Sequence, residues 1–417
     1  MSDRPSVVLG VAGGIAAYKA CEVLRGLTEA GCDVTVVPTA SALKFVGEAT
    51  FAALSGRPVA TTVWQSAQDV PHVRLGRGAD LVVIAPATAD LLARATHGIA
   101  DDLLTNVLLT ATCPIVMAPA MHTEMWQHPA TQRNVEHLRS RGIVVLDPAV
   151  GRLTGADSGP GRLPDPSAIV ATALDVLRRG RREPDLAGRH VVVTAGGTRE
   201  DWDPVRFLGN ASSGLQGVAL ARTAAARGAH VTLVAGAMDV APPAGVDVVR
   251  VRSAQEMRDA VQALDSRADV IVMAAAVADF RPIAVGEHKI KRGTAGDHVT
   301  LDLVQNPDIL AGLVERRGSA RRPVIVGFAA ETGDDAHTVL ELGREKLARK
   351  GCDVLVVNDV SQGRVFGETD NEVVILTAER SAGAGGSARE GAETPVARAD
   401  KGIIADAIWD VVGPLLV

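Results

Sequence analysis

Apolar positions along the chain form short continuous runs that alternate with stretches of helical spacing. In the first half, residues 7–11 are such a run, and apolar residues recur with helical periodicity over residues 16–29. Continuous apolar runs are typical of strands that are buried on both faces, so this alternation predicts a parallel sheet covered by helices. The other predicted strands of this half are residues 34–37, 81–86, 115–119 and 143–146.

The second half of the chain repeats this pattern. Residues 190–193 form an apolar strand that leads into Gly196 and Gly197, and after a polar insert a helical run covers residues 215–227. We therefore predict two doubly wound, Rossmann-like three-layer α/β domains in series, the first of the flavodoxin-like type. A basic run before Pro184 predicts a linker, which gives domains over residues 1–183 and 184–417. The further strands predicted here are residues 231–234, 248–251, 270–273, 324–331 and 354–359.

Composition excludes several classes of protein. The 417 residues are 47% hydrophobic and 22% charged, with a formal net charge of -6, which argues against a nucleic-acid-binding surface. No apolar run approaches the roughly 20 residues of a membrane span, so we expect a cytoplasmic protein without membrane contact. Four scattered cysteines without C-x-x-C spacing make a zinc site or a disulfide framework unexpected.

Each half carries a glycine loop between a strand and a helix, which is the geometry in which helix N-terminal N–H groups face a phosphate. These loops are Gly13-Gly14 in the first half and Gly196-Gly197 followed by residues 210–214 in the second. Neither fits the G-x-G-x-x-G spacing, so a tight turn without a ligand is the alternative for each loop alone. Two such units, each followed by further strand and helix alternation, favour ligand binding.

Ligands in parallel sheets bind at the carboxyl ends of the strands. In the first half this places Gly13-Gly14, Thr39, residues 88–90 and residues 119–122 around one crevice. His72 precedes the third strand, and by residue type alone it is a surface or capping histidine.

Four separated motifs of the first half resemble the FMN-binding, flavin-dependent cysteine decarboxylases, over about the first 175 residues. They are Gly-Gly-Ile-Ala-Ala-Tyr-Lys from Gly13, Pro-Ala-Thr-Ala-Asp from Pro86, Gly-Ile-Ala-Asp-Asp-Leu-Leu from Gly98 and Ala-Pro-Ala-Met from Ala118. The resemblance implies that His72 is an active-site residue. It also implies that FMN is contacted by Gly13, Gly14, Ile15, Ala16, Thr39, Thr88, Ala89, Asp90, Asp101 and Asp102.

The first half departs from this family at two positions. His122 occupies the place of the family's asparagine, and Gly155 the place of a flap cysteine that reprotonates the ene-thiolate left by loss of carbon dioxide. One interpretation is that the domain has lost decarboxylation, and another is that it is a non-catalytic flavin-binding subunit. We hypothesise that activity is retained, with Asp157, His122 or a bound water as the proton donor.

Lysines and a carboxylate in the second half suggest a site for a triphosphate. Lys289 and Lys291 share one face of an extended segment, and Lys346 and Lys350 share one face of a helix. Each pair alone is compatible with a solvated surface. Together with Asp279 after a strand, they suit a nucleotide triphosphate with Mg²⁺ bridging carboxylate and phosphates.

The order of motifs from residue 186 to near the C-terminus resembles phosphopantothenate-cysteine ligase. The resemblance implies that CTP activates 4'-phosphopantothenate as an acyl-cytidylate and that the amine of cysteine then displaces CMP. Asn210 and Lys289 match residues that handle the acyl intermediate, and Asp279 is the expected Mg²⁺ ligand. The implied CTP-binding residues are Ser212, Ser213, Gly214, Ala275, Asp279, Lys289, Asn306, Pro307, Asp308, Ile309, Phe328, Lys346 and Lys350.

Both halves in this order are similar to a bifunctional decarboxylase and ligase family of coenzyme A biosynthesis. The resemblance implies consecutive reactions, because the ligase product is the decarboxylase substrate. It also implies a homo-oligomer in which decarboxylase trimers are linked by ligase dimers, as in a dodecamer. The insert over residues 381–388, rich in Gly, Ser and Ala, is expected to be a disordered loop.

Overall fold

The computed structural model describes residues 4–62, 70–152, 158–180, 184–243, 245–289, 300–331, 337–359, 368, 370–379 and 391–416. Three positions used in the sequence predictions, Gly155, Asp157 and Lys291, lie outside this range, as does the insert over residues 381–388. The chain divides into two compact units. Unit 1 comprises Met1–Ala187 with Ala225–Gly228, and unit 2 comprises Gly188–Ala224 with Ala229–Val417.

Unit 1 is built on a five-stranded parallel sheet with the strand order β2-β1-β3-β4-β5. All seven residues of the central strand β3 are buried, as expected for a strand covered on both faces. An antiparallel hairpin, β6 and β7, follows the sheet. The strands are β1 (Ser6–Val11), β2 (Asp33–Pro38), β3 (Leu81–Ala87), β4 (Ile115–Pro119), β5 (Val144–Val145), β6 (Ala149–Arg152) and β7 (Ser158–Arg162).

The helices of unit 1 pack in pairs, α1 with α8, α3 with α5 and α4 with α7. A turn of 3-10 helix, Ile15–Lys19, runs directly into α1, so the helix that follows the first glycine loop begins at Ile15. The helices are α1 (Ala20–Glu29), α2 (Glu48–Ser55), α3 (Pro71–Gly78), α4 (Ala89–His97), α5 (Leu103–Thr110), α6 (Thr123–Gln127), α7 (Pro129–Ser140) and α8 (Pro166–Arg179).

Unit 2 contains an eight-stranded sheet with the order β12-β11-β8-β13-β16-β17-β18-β19. The first six strands are parallel, and β18 and β19 continue the sheet antiparallel beyond β17. The doubly wound α/β class predicted for both halves is confirmed. The strands of this sheet are β8 (His190–Ala195), β11 (His230–Ala235), β12 (Asp247–Arg250), β13 (Val270–Met273), β16 (Val324–Glu331), β17 (Val354–Asp359), β18 (Asp370–Thr377) and β19 (Glu393–Asp400).

Two short hairpins and five helices complete the described part of unit 2. Trp409 in α13 is fully buried, and its indole N–H donates to Thr223 Oγ1 at 2.9 Å, which fixes α13 against α9. The hairpins are β9 (Glu200–Asp201) with β10 (Phe207–Leu208) and β14 (Phe280–Pro282) with β15 (Leu303–Gln305). The helices are α9 (Leu215–Ala226), α10 (Ala254–Gln262), α11 (Ile309–Arg317), α12 (Val339–Lys350) and α13 (Lys401–Val412).

The glycine pair after β8 serves close backbone packing. Gly196 has a φ of 81°, and a Cβ atom there would lie 2.4 Å from the carbonyl oxygen of Ala237. A Cβ on Gly197 would lie 2.7 Å from the carbonyl oxygen of Asn210. Only glycine allows both approaches, which bring residues 209–214 toward the carboxyl end of the sheet.

Candidate functional site

A crevice of about 610 Å³ lies at the carboxyl ends of β1, β3 and β4 in unit 1. Its position agrees with the general location of ligands in parallel sheets. The structure brings together here seven of the residues predicted from the sequence: Gly13, Gly14, Ile15, Ala16, Thr88, Ala89 and His122.

Two helix N-termini meet in this crevice. Gly14 precedes the helical turn that begins at Ile15, and Thr88 caps α4 by accepting a hydrogen bond from the Leu91 amide at 3.3 Å. A Cβ on Gly14 would lie 3.9 Å from Thr88 Cγ2, so the two ends are neighbours. A Cβ on Gly13 would lie 2.3 Å from Ser41 Cβ, which requires glycine there. Such paired N-termini suit an anionic group.

The hairpin of β6 and β7 borders the same crevice, and the sequence analysis had not assigned its residues to the cofactor site. The Met121 amide donates to the Gly161 carbonyl at 2.9 Å, and a Cβ on Gly161 would lie 2.2 Å from the Met121 carbonyl oxygen. The Gly-Pro-Gly-Arg sequence of β7 was the available signal for this contact. Additional lining residues are Tyr18, Lys19, Pro86, Ala120, Met121, Met125, Arg152, Gly161, Arg162 and Leu163.

Four predicted cofactor contacts do not line the crevice, and each has another partner. Thr39 Oγ1 accepts from the Ala42 amide at 3.2 Å, and Asp90 pairs with Arg94 at 2.9 Å. Asp101 also bonds the Arg94 guanidinium, and this hydrogen bond lowers the pKa of Asp101. Asp102 forms a capping box with Thr105 at the start of α5. Their role in cofactor binding stays a prediction.

His72 lies at the start of α3 and does not line the crevice of unit 1. Its imidazole Nδ1 is buried and has no hydrogen-bond partner among the described residues. The backbone carbonyl of His72 accepts from Thr110 Oγ1 at 2.8 Å, which fixes α3 to the end of α5. The predicted proton donor Asp157 lies outside the described residues, whereas His122 is exposed and lines the crevice.

Unit 2 contains a cavity of about 790 Å³ at the carboxyl ends of its parallel strands. Nearly all of the nucleotide-site residues predicted from the sequence line it, although they come from five separate stretches of the chain. These are Asn210, Ser212, Ser213, Gly214, Ala275, Asp279, Asn306, Pro307, Asp308, Ile309, Phe328, Lys346 and Lys350.

Side-chain hydrogen bonds hold the loop after β13 in this cavity. Thr194 Oγ1 accepts from the Ala275 amide at 3.0 Å, and Thr198 Oγ1 accepts from the Ala278 amide at 2.9 Å. Asn210 Nδ2 donates to the Val277 carbonyl at 3.0 Å, and Asn306 Nδ2 donates to the Ala278 carbonyl at 2.8 Å. The loop is therefore fixed before any substrate binds.

The two lysines of α12 face the cavity and are held by carboxylates. Lys346 Nζ lies 2.9 Å from Glu331 Oε1, and Lys350 Nζ bonds Asp308, the N-cap residue of α11. Burial alone would raise the pKa of Asp308, but hydrogen bonds from Lys350 and the Ala311 amide outweigh it and lower that pKa. The two lysine side chains therefore lie beside a cavity that is otherwise lined largely by neutral groups.

Asp279 lines the unit 2 cavity, whereas Lys289 does not. Lys289 is exposed and does not line the cavity, and its partner in the sequence pattern, Lys291, is outside the described residues. Asp279 is exposed at the cavity, while no group of three or more His, Cys, Asp or Glu side chains among the described residues could hold a metal ion. The Mg²⁺ assignment therefore depends on phosphate oxygens as further ligands.

The cavity of unit 2 also contains residues that the sequence analysis had not assigned to a site. Among these residues are Gln216, Asn358, Asn371 and Lys401. Asn358 lies near the end of a predicted strand, which was a usable signal. Asn371 and Lys401 belong to β18 and the start of α13, which the apolar pattern had not predicted.

Comparisons with known proteins agree with this arrangement. Residues 1–178 match the Flavoprotein family, and residues 186–412 match the family described as DNA/pantothenate metabolism flavoprotein C-terminal domain. The coenzyme A biosynthesis bifunctional protein CoaBC of Mycobacterium tuberculosis (strain ATCC 25618 / H37Rv) is 57% identical over 97% of this chain and 96% of its own. The chain belongs to the CoaBC family.

More distant relatives extend the comparison. The CoaBC protein of Vibrio cholerae is 42% identical over 89% of this chain and 92% of its own. Membership of this family confirms the predicted enzyme class, a ligase combined with a decarboxylase in coenzyme A biosynthesis. A crystal structure of a CoaBC C-terminal domain is 32% identical and covers 56% of this chain and 98% of that one, with a TM-score of 0.45. The crystal structure of the FMN-dependent cysteine decarboxylase SpaF is 36% identical, and the match covers 42% of this chain and 98% of that one, with a TM-score of 0.37.

The crevice of unit 1 fits the flavin expected of a family flavoprotein. Gly14 and Thr88 precede two neighbouring helix N-termini that suit an anionic group, and Lys19 adds a cation. Ile15 is 64% exposed and Met125 is 47% exposed, so both present apolar surface that a flat ring could cover. Among the described residues no helix combines the length and apolar character needed to cross a bilayer.

Proposed function

We propose that this CoaBC protein condenses 4'-phosphopantothenate with cysteine, using CTP and an acyl-cytidylate intermediate, and then decarboxylates the product to 4'-phosphopantetheine with FMN. Residues 1–183 are assigned to the decarboxylase and residues 184–417 to the ligase. The observation that carries the proposal is the cavity of unit 2, where the α12 lysines, Asp279 and Asn210 converge although they are distant in sequence.

The ligase step needs charge compensation for a triphosphate. A carboxylate becomes an acylating group when it attacks the α-phosphorus of CTP and displaces pyrophosphate. Lys346 and Lys350 supply two cations at one face of the cavity, and their partners Glu331 and Asp308 would give way to phosphate oxygens. Mg²⁺ would bind at Asp279 and neutralise phosphate charge, which suits a cation that takes one or two protein carboxylates besides phosphates.

Asn210 and Lys289 are assigned to the acyl group. The bond from Asn210 Nδ2 to the Val277 carbonyl orients the side chain and leaves its Oδ1 and one N–H for a ligand. Lys289 is exposed, and we propose that it neutralises charge that develops on the phosphate as CMP leaves.

The decarboxylase step is assigned to the crevice of unit 1. When bound, the flavin accepts and returns the electrons of the cysteine moiety, which makes loss of carbon dioxide possible. Lys19 and Arg162 line the crevice and would compensate substrate and cofactor phosphates. We assign proton delivery to His122, which also lines the crevice, to Asp157 or to a bound water. His72 does not line the crevice of its own chain, which supports a site completed by a neighbouring subunit in a homo-oligomer of decarboxylase trimers and ligase dimers.

A second candidate function is a ligase whose flavin-binding domain no longer decarboxylates. It is favoured by one sequence observation, Gly155 in place of the family's flap cysteine. Under this alternative the crevice would bind flavin without turnover, and the protein would release 4'-phosphopantothenoylcysteine.

Mass spectrometry of the products separates the two candidates. Purified protein with bound flavin is incubated with 4'-phosphopantothenate, cysteine, CTP and Mg²⁺. We expect 4'-phosphopantetheine and carbon dioxide, and we expect His72→Asn to stop at 4'-phosphopantothenoylcysteine. Accumulation of that intermediate by the unaltered protein would establish the second candidate, and absence of any amide product would refute both.

A further inference from the structure

Part of the unit 2 cavity is lined by polar side chains to which the proposed CTP and phosphopantothenate contacts assign no role. We call Gln216, Asn358, Asn371 and Lys401 the polar recess. Gln216 Nε2 donates to the Lys401 carbonyl at 3.5 Å, which joins the first turns of α9 and α13. Asn358 pairs with Val373 in the ladder between β17 and β18, two residues from Asn371. Four elements therefore meet at the polar recess.

Three buried polar atoms of the polar recess have no hydrogen-bond partner among the described residues. They are Gln216 Oε1, Asn358 Oδ1 and Asn371 Nδ2. Hydrogen bonds made by the opposite atom of the side-chain amide fix the orientation of Gln216 and Asn371. Gln216 Nε2 donates to a carbonyl, and Asn371 Oδ1 accepts from the Glu372 backbone amide at 2.9 Å. Asn371 is only 4% exposed. Buried polar groups are rarely left unpaired, so an occupant with matching groups is expected.

The unpaired atoms define the chemistry of that occupant. Two acceptor oxygens, on Gln216 and Asn358, require donors from the ligand. The Asn371 amide donor requires an acceptor. The Lys401 ammonium donates one hydrogen bond to the Glu368 carbonyl, and its two other N–H groups can donate to the same acceptor. A triphosphate would place negative charge against the two acceptor oxygens. A ligand with an ammonium and a carboxylate satisfies both sets of groups, because the ammonium donates to the two oxygens and the carboxylate accepts from the two donors.

We propose that the polar recess binds the α-ammonium and α-carboxylate of the amino-acid substrate of the ligase. The proposal rests on the proposed function and deepens it by giving cysteine a site of its own. Gln216 and Asn358 hold the nitrogen, while Asn371 and Lys401 hold the carboxylate. The nitrogen lies in the same cavity as Asn210, which is assigned to the acyl group.

Amide formation requires only cysteine and the acyl-cytidylate. The ammonium first releases a proton to water, and the free amine attacks the acyl carbon of the acyl-cytidylate. A carbon–nitrogen bond forms, the carbon–oxygen bond to phosphate breaks, and CMP leaves with the electron pair. The nitrogen loses its second proton to solvent, which gives the amide. By holding the nitrogen, the polar recess acts on this second half-reaction and leaves formation of the acyl-cytidylate unaffected.

The test measures the two half-reactions separately in the full chain. Asn371→Leu removes the unpaired donor and keeps the side-chain shape, and Glu372→Gln, exposed on the other face of β18, is the matched control. Phosphopantothenate-dependent exchange of pyrophosphate into CTP reports the first half-reaction without cysteine. We expect Asn371→Leu to raise the KM for cysteine about tenfold or more and to leave the exchange rate within about twofold of the unaltered protein.

Cysteamine, which lacks the carboxylate, gives a second readout. The unaltered protein should prefer cysteine, and Asn371→Leu should reduce that preference because the efficiency with cysteamine stays unchanged. If Asn371→Leu does not fold, Gln216→Met is used for the KM measurement. A raised KM for CTP in place of that for cysteine, or no change in either, overturns the polar-recess proposal. If the unaltered protein shows no exchange, the proposed function itself fails.

Discussion

The sequence predicted which residues line the unit 2 cavity better than it predicted the ion-pair partners of those residues. Lys346 and Lys350 lie one helical turn apart on α12, as their i and i+4 spacing required. Their ion pairs with Glu331 and Asp308 could not be predicted, because the pairs join residues 15 and 42 positions apart. The polar recess escaped the sequence analysis for the same reason, since single Asn and Gln residues carry no periodic pattern.

Lys289 allows a test of transition-state charge compensation at the residue scale. Its side chain is exposed, so Lys289→Gln should leave the melting temperature unchanged. If the ammonium stabilises the developing phosphate charge, kcat for amide formation should fall about 10²- to 10³-fold in Lys289→Gln. A loss of this size is typical when one preorganised electrostatic contact to a transition state is removed. The rate of 4'-phosphopantothenoylcysteine formation is the measurement.

A matched control for Lys289 lies in the same exposed segment. Glu287→Gln also removes one charge from an exposed side chain, and it should retain full ligase activity. Equal and small losses in both variants would show that Lys289 contributes only to the general surface field. Its assignment to the acyl group would then be wrong.

At the scale of elements, the buried parallel strands were predictable and the edge of the unit 2 sheet was not. Strands such as β3 and β13 are apolar throughout because they are covered on both faces. In β19 no residue is buried, and its sequence contains the charged residues Glu393, Arg398 and Asp400, so no apolar run marks it. The position of Asn371 on β18 depends on pairing with β17 and β19, which only the folded sheet provides.

Loops at strand ends were placed correctly where glycine or a capping residue marked them. The residues of the two helix N-termini at the unit 1 crevice, Gly14 and Thr88, were both predicted. Asp102 shows the limit of such reasoning, because a carboxylate before a helix serves equally as a cap or as a ligand. In the structure its oxygen accepts from the Thr105 amide at 2.8 Å.

The start of α12 should affect nucleotide binding through the lysines that the helix carries. Thr338 and Glu341 form a capping box, and the Thr338 amide and hydroxyl lower the pKa of Glu341. Loss of an N-cap hydroxyl costs about 1 kcal/mol, so Thr338→Ala should loosen α12 and raise the KM for CTP up to about fivefold. Thr338→Ser keeps the capping oxygen and should behave as the unaltered protein. Initial-rate measurements at varied CTP concentration give the KM of each protein. An equal KM for all three proteins would show that the cap of α12 does not affect CTP binding.

At the scale of the whole molecule, the surface of unit 1 carries apolar side chains that suggest association of subunits. Ile99 is 52% exposed and Leu109 is 55% exposed, and a Cβ on Gly98 would lie 3.7 Å from Leu109 Cδ2, so the two belong to one patch. The adjacent Thr110 bonds the His72 backbone. The patch therefore lies beside the histidine that does not line the crevice of its own chain.

If this patch holds decarboxylase subunits together, Leu109→Glu should separate them, because a buried unpaired carboxylate is costly at an apolar interface. The two activities should then diverge. Decarboxylation should be lost when His72 no longer reaches a neighbouring crevice, whereas 4'-phosphopantothenoylcysteine should still form in the unit 2 cavity. Leu109→Met preserves the apolar contact and should retain both activities. Sedimentation velocity and product analysis on the same samples test this, and a Leu109→Glu protein of unchanged size that still releases carbon dioxide would exclude the patch as the interface that completes the site.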